Sequence, residues 1–469
     1  MIKITVIGAC SITYGKDMIN NLIQIDTEKN VEICLMSPNS ARLQEFEKMA
    51  QRLIKKNNLT PTITSTTDLE KAVSDSKYII CLFSIGGFNA LEQDYLIPKS
   101  FGIEQCIGDT MGPGGIFRAQ RTIPVYMNLL ETAKKYSPNA LILNYSNPLA
   151  MIQMAGIEFG DIHQLGLCNG VEETINTVAF FLNQTADSLD TVFAGINHMT
   201  WMLSIHDKET KIDLYPRLKE IMQDPSNYFN ERVRFELMQT FGFFLSETSG
   251  HSSDMFPWFR NTKQNIDRYC KARGYSGESG VYYRISNILA KNTQRILNKL
   301  EKAELTKTDK KNYAVEIISA IENKSNYSFY GNTLNIDKTI KNLPEYSCIE
   351  IPFSIIKGEI VKTHIDKLPE GIAGITKSNI LVQEMAVKAA ISGDPNLLIS
   401  AMALDPLTSS NLNLQEIKRL TGEMLKKQRQ WLPQYNDKNI FQGIEIKKTI
   451  PGKINNYKGH NILKEILEK

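Results

Sequence analysis

The sequence lacks a surplus of either charge. Its 54 lysines and arginines face 51 aspartates and glutamates, a net of +3. That balance argues against a nucleic-acid partner or an acidic membrane surface, since both need a basic face. Long apolar runs are missing too. No stretch reaches the roughly 18 residues needed to cross a bilayer. The opening residues carry one lysine and then strand formers, which does not read as a signal peptide. Cysteine is scarce and unpatterned: seven residues, an odd number, with no repeating spacing. A disulfide framework is therefore not expected. A reduced, cytoplasmic setting is, and single thiolates stay free to bind metal or react.

What is present suits a globular chain. The 469 residues are 42% hydrophobic and 22% charged, enough for two or three domains with a large core. Ile2–Ile7, Val31–Met36, Tyr78–Ser84, Ala140–Tyr145 and Gln164–Cys168 read as strands. Between them, Lys16–Ile25, Ser40–Asn57, Ile116–Tyr136 and Glu172–Leu182 read as helices. Strand and helix in alternation predict βαβ units and a doubly wound parallel sheet. The pattern changes after about residue 190. Short strands are expected at Val192–Phe193 and Met199–Ile205, then long helices at Asn227–Thr240, Ser286–Glu301 and Ile380–Ser392. The lysine- and asparagine-rich Lys302–Asn326 reads as a solvated helix pair or an excursion. The expected fold is α/β: a Rossmann-like domain over residues 1–195 and a helix-rich α+β domain over 196–469, with the cleft at the strands' carboxyl ends.

"VIGACSITYG" (Val6–Gly15) follows the first strand where a dinucleotide's pyrophosphate would sit. Gly8 can make the tight turn, and Ser11 and Thr13 can donate hydroxyls. The second glycine is missing, because Cys10 stands there. After the second strand, "LMSPNSAR" lacks the acid that would hold a ribose 2′-hydroxyl. Ser37, Asn39, Ser40 and Arg42 suit a 2′-phosphate instead, as in NADP. Taken alone, the loop is as readily an ordinary strand–turn–helix.

Four later stretches, in order, say more: "GDTMGPGGIFRAQRTIP" (Gly108–Pro124), "NYSNP" (Asn144–Pro148), "GLCNG" (Gly166–Gly170) and "GINHMTW" (Gly195–Trp201). Together they resemble glycoside hydrolase family 4, the NAD- and metal-dependent glycosidases. "NLPEYSCIEIP" (Asn342–Pro352) and "ALDPLTS" (Ala403–Ser409) extend the likeness over nearly the whole chain. Within the family the sequence is most similar to the branch acting on unphosphorylated α-galactosides and galacturonides.

The resemblance implies a lactate/malate dehydrogenase-like fold, a bound NAD (NADP being possible), and Mn²⁺ or another divalent ion. Instead of the paired carboxylates of ordinary glycosidases, it implies redox elimination: hydride leaves sugar C3, a base takes the C2 proton, and the C1–O bond breaks. The implied metal ligands are Cys168 and His198; from ligand softness alone Zn²⁺ or Fe²⁺ would be the guess. Asn147, Asp109 and Thr110 match sugar-side positions, and Asn144 lies by the nicotinamide. Arg118 and Arg121 follow on the helix, one facing substrate or a neighbouring subunit and the other expected as surface charge. A small sugar is the implied partner, and a homodimer or homotetramer the implied assembly.

Two further positions depart from the family pattern. Asn169 stands where α-type members carry an Asp or His that protonates the leaving oxygen, and an amide has no useful pKa for that. Some β-type members carry Asn, so the anomeric preference stays open. In "HSSDMFPWF" (His251–Phe259), Met255 takes the place of a catalytic tyrosine, leaving Asp254, His251 and Glu247 as candidate bases. Trp258 and its aromatic neighbours face either sugar or core. Three readings follow: an active glycosidase on galactosides or uronides, a catalytically impaired member binding sugar or metal, or a hydroxy-acid dehydrogenase. The Cys168/His198 pair argues against the last.

Overall fold

The computed structural model describes residues 1–156, 162–305 and 312–436. Six short strands open the chain: β1 (Ile2–Ile7), β2 (Val31–Met36), β3 (Thr62–Thr66), β4 (Tyr78–Cys81), β5 (Leu141–Asn144) and β6 (Gln164–Gly166). They pair in parallel in the order β3-β2-β1-β4-β5-β6, the strand order of a dinucleotide-binding sheet. β1 and β4 are almost wholly buried, as expected for parallel strands covered on both faces. β3 was not expected from the sequence. It is a threonine-rich edge strand with little apolar content, so it carries no hydrophobic run to betray it.

The helix Ser40–Asn57 has the predicted limits. Asn39 caps it by accepting the Arg42 N–H at 3.0 Å, and Asn58 ends it at φ +53°. Leu43, Phe46, Met49, Ala50 and Leu53 form its buried stripe. The helix predicted from Ile116 begins earlier, at Gly112. Its Gly-Pro-Gly-Gly start reads as loop by composition, yet proline is at home in a helix's first turn.

The sheet continues past β6. β10 (Tyr327–Leu334) joins it antiparallel through Asn332 opposite Gly166. Next come β11 (Cys348–Ile356), β7 (Leu189–Ile196), β8 (Met199–Asp207) and the two-residue β9 (Phe244–Leu245), with β12 (Glu359–Lys362) on β11. One sheet of 12 strands thus runs through both sequence halves. β7 and β8 match the expected strands and are longer than expected.

Two predicted helices are broken. Asn227–Thr240 becomes Pro225–Asn230 and Arg232–Phe241, parted at Glu231, whose carboxylate is tied to Arg234 and Ser249. Ser286–Glu301 becomes Val281–Lys291 and Thr293–Leu300. The expectation of a solvated Lys302–Asn326 falls partly on residues 306–311, outside the described residues. Within it, Tyr313–Asn323 is a helix that buries Tyr313, Ala314, Val315, Ile317, Ile318 and Ala320. Its apolar stripe outweighs the polar flanks that dominate the composition. Among the described residues no helix is long and apolar enough to cross a membrane.

Candidate active site and metal centre

The carboxyl ends of β4, β5 and β6 and the β7–β8 turn point their residues into one cavity of about 440 Å³. Cys168 lies two residues beyond β6, at the N-terminus of the helix Gly170–Leu182. The Gly170 N–H donates to its sulfur at 3.4 Å, an arrangement that favours a thiolate. His198 is the second residue of the two-residue turn between β7 and β8, with φ +63°. That turn carries its Nε2 to 3.3 Å from Cys168 Sγ.

A third ligand-bearing side chain meets them. Glu247 Oε1 lies 3.5 Å from His198 Nε2 and 3.6 Å from Cys168 Sγ. The three donor atoms all fall within 4.8 Å of one another. Thiolate, imidazole and carboxylate are a sound donor set for a divalent transition ion, and three protein ligands leave positions open for substrate oxygens. Glu247 can reach this point because residue 170 is glycine: a Cβ there would stand 1.8 Å from Glu247 Oε1.

The histidine is held from behind. Its Nδ1 is 2.8 Å from Thr110 Oγ1, and that hydroxyl donates to Asp109 Oδ1 at 2.8 Å. An Nδ1–H donating to Thr110 leaves Nε2 free as a ligand, the usual support behind a metal-bound imidazole. Asp109 Oδ2 accepts from Asn147 Nδ2 at 3.0 Å, and Arg118 Nε donates to the Asn147 carbonyl at 3.0 Å. His251 completes the ring, with Nδ1 3.4 Å from Glu247 Oε2 and Nε2 3.6 Å from Asp109 Oδ1.

The electrostatics separate the two imidazoles. Burial and the neighbouring His251 hold His198 below the ordinary histidine value, so it is neutral, as a ligand must be. Burial also disfavours charge on His251, but Glu247 and Asp109 outweigh it and raise the group to about 8. Burial would raise Glu247, yet it is held well below the ordinary carboxylate range; with His198 neutral, the charged and hydrogen-bonding His251 carries that effect. Burial, with Glu247 and Glu350 nearby, pushes the Cys168 thiol well up, so an arriving cation must displace its proton.

Asp109, Asn147, Asn169, Cys168, His198 and His251 all line the cavity or its wall, as expected. Four other expected residues stand outside it. Thr110 is buried behind His198. Asn144 is buried beneath the cavity floor, accepting the Ser146 N–H. Asp254 is spent on structure: its carboxylate accepts the N–H groups of Cys106, Ile107 and Gly108 and pairs with Arg260 at 3.0 Å. Trp258 is 42% exposed and stacks on Phe256, on the outer side of an aromatic wall. Arg121 is not a surface charge either. It is buried, bidentate to Asp94 at 2.9 and 2.6 Å and bound to Gln428. The tyrosines Tyr14, Tyr145, Tyr275 and Tyr282 also line the cavity; the first two stand inside the quoted motifs but are not singled out by them, and no motif contains Tyr275 or Tyr282.

A second cavity, of about 490 Å³, adjoins the first. Gly8, Cys10, Ser11, Thr13, Ser37 and Asn39 line it, all of them expected dinucleotide contacts. Ser11, Thr13, Leu82, Phe83, Ser84 and Tyr282 face both cavities. Gly8 has φ +82°, and a Cβ there would meet the Leu82–Phe83 backbone at 2.9 Å. The shape therefore fits an elongated cofactor whose inner end reaches the Cys168–His198–Glu247 cluster.

Known proteins share this arrangement of sequence and fold. The family model described as family 4 glycosyl hydrolase matches residues 3–184, and that of its C-terminal domain matches residues 193–408. An α-galactosidase of Rhizobium meliloti is 32% identical over 439 residues, 92% of this chain and 89% of its own. An α-galactosidase of Bacillus subtilis is 31% identical over 446 residues, 93% of this chain and 100% of its own. Among solved structures, a 6-phospho-α-glucosidase from gut microorganisms, in complex with NAD and Mn²⁺, superposes with a TM-score of 0.77. It shares 20% identity, over 92% of this chain and 99% of that one.

Proposed function

The chain belongs to glycosyl hydrolase family 4, and from that premise we propose that it is a dinucleotide- and metal-dependent glycosidase acting on small galactosides or uronides by redox elimination. The observation that carries this reading is the convergence of Cys168, His198 and Glu247 beside a cavity continuous with the one behind Gly8. The α-galactosidase relatives favour a galactoside over a uronide. When bound, the dinucleotide supplies a reversible hydride acceptor for sugar C3, and the divalent ion a Lewis acid for the sugar's C2 and C3 oxygens.

The chain's own residues do the rest. Cys168, His198 and Glu247 would hold the ion, Glu247 being a ligand the motifs do not suggest. Thr110 and Asp109 fix the His198 ring. Asn147 and Asp109 present an amide and a carboxylate to sugar hydroxyls. His251 lines the cavity with its ring between two carboxylates, and we assign it the removal of the C2 proton in place of the missing tyrosine. Asn169 can hydrogen-bond the leaving oxygen but not protonate it. The part up to about residue 195 supplies most of the dinucleotide cavity, and the rest supplies His198, Glu247 and His251 together with Tyr282 and Ser286 on that cavity's wall. Seven free cysteines suit a reducing cytoplasm, and the family likeness points to a homodimer or homotetramer.

The test is hydrolysis of aryl α- and β-galactosides and galacturonides with dinucleotide, Mn²⁺ and a thiol reductant. Turnover with an isotope effect from deuterium at C2, and no net accumulation of reduced dinucleotide, is expected. Saturable sugar binding without turnover would instead mark an impaired member. Net reduced dinucleotide would mark a dehydrogenase.

A further inference from the structure

We propose that the second cavity is built for a 2′-phosphorylated dinucleotide, NADP(H), and that Arg42 and Ser37 select it. The proposal rests on the dinucleotide reading above and concerns which dinucleotide is bound. In a sheet of this order the residue at the end of β2 faces the adenosine ribose. A carboxylate there accepts the 2′-hydroxyl and repels a 2′-phosphate. Here β2 ends at Met36, and Ser37, Pro38 and Asn39 follow it into the cavity wall. None carries a negative charge.

The rest of the wall repeats the pattern. Among the described residues its lining contains no aspartate, glutamate or lysine, and Arg42 is its one charged side chain. Arg42 uses its backbone N–H in the helix cap with Asn39. Among the described residues its guanidinium makes no ion pair, although it is half-buried. A guanidinium without a carboxylate, at the edge of a cavity and one turn into a helix, is a fitting partner for a phosphate dianion. The Ser40–Asn57 helix adds its positive end beside it.

Cys10 belongs to the same corner. Its thiol is buried and kept protonated by that burial, with Ser37 and Arg42 both near enough to favour its charged form. The side chain that replaces the second loop glycine thus fills space toward the end of β2. The Ser37 hydroxyl, which accepts the Asn39 N–H at 3.3 Å, can still turn its proton to a phosphate oxygen.

The experiment is equilibrium titration of the full chain, stripped of nucleotide, with NADH and NADPH, read by nicotinamide fluorescence and needing no turnover. NADPH is expected to bind at least tenfold more tightly at low salt, and its affinity to fall with ionic strength more than that of NADH. Arg42→Gln should lower NADPH affinity at least tenfold and leave NADH within about twofold. Ser37→Asp should reverse the preference. NADH binding as tightly as NADPH, or NADPH affinity indifferent to Arg42→Gln, overturns the proposal while the dinucleotide reading stands. Failure of both nucleotides to bind overturns the dinucleotide reading itself, and this proposal with it.

Discussion

His198 occupies a left-handed backbone conformation, φ +63°, that a histidine adopts at a cost of about 1 kcal/mol. The conformation aims its ring at Cys168, so local strain is spent on a ligand geometry. Removing the sulfur should show this directly. Cys168→Ser replaces a soft, charged ligand with a hard, neutral one, and Mn²⁺ affinity measured by electron paramagnetic resonance should drop roughly a hundredfold; an unchanged affinity refutes the ligand assignment. Gly170→Ala tests the third ligand. Its new methyl group would overlap Glu247 Oε1, so the carboxylate must withdraw. We expect Mn²⁺ binding to weaken at least tenfold with dinucleotide binding unchanged, whereas full Mn²⁺ affinity would remove Glu247 from the site. For His251 the prediction concerns pH. A base must be neutral, and Glu247 and Asp109 raise this one to about 8 without metal; a cation beside Glu247 would bring it back down. The kcat/KM should therefore climb with pH and level off at or below about pH 8. His251→Asn should lose that limb while still binding Mn²⁺, and a variant that keeps the limb assigns the base elsewhere.

At the scale of elements, one buried carboxylate ties together the strands that carry the two motif ligands. Glu350 on β11 accepts from Asn332 at 2.9 Å, from Asn197 at 3.5 Å, and from the Thr200 hydroxyl. Asn332 lies opposite Gly166, two residues before Cys168, while Asn197 precedes His198 on its turn and Thr200 follows in β8. Burial raises Glu350 to about 7 from an ordinary 4.5. Between those values the folded chain keeps a proton that the unfolded chain has lost, so stability falls as pH rises from about 4.5 to 7. The loss approaches about 3 kcal/mol. Glu350→Gln keeps the shape without the titration. In urea unfolding of the metal-free protein, wild type should lose stability relative to this variant across that pH interval, and a constant difference would exclude the effect.

For the whole molecule, the sheet and the site divide the labour. The 12-stranded sheet buries its own core and does not need an ion to close it. Chelation of divalent metal should therefore abolish turnover, lower the melting temperature by only a few degrees, and leave dinucleotide affinity in place. Global unfolding on chelation would contradict this division. The two cavities share six lining residues, so they adjoin along one common wall.

Much of this was legible in residues read in order. Apolar runs located the first six-strand unit except β3, whose threonines carry no hydrophobic signal, while Cys168, His198, Asp109 and Asn147 came from the family resemblance of the motifs around them. Periodicity determines the strands and helices because it depends on neighbours in the chain. What only the tertiary structure decided depends on residues far apart: that Glu247 meets Cys168 and His198, that Thr110 lies behind His198, and that Asp254 is a backbone anchor. A side chain's role at these places is set by which strand ends the folded sheet brings together, and no local pattern records that.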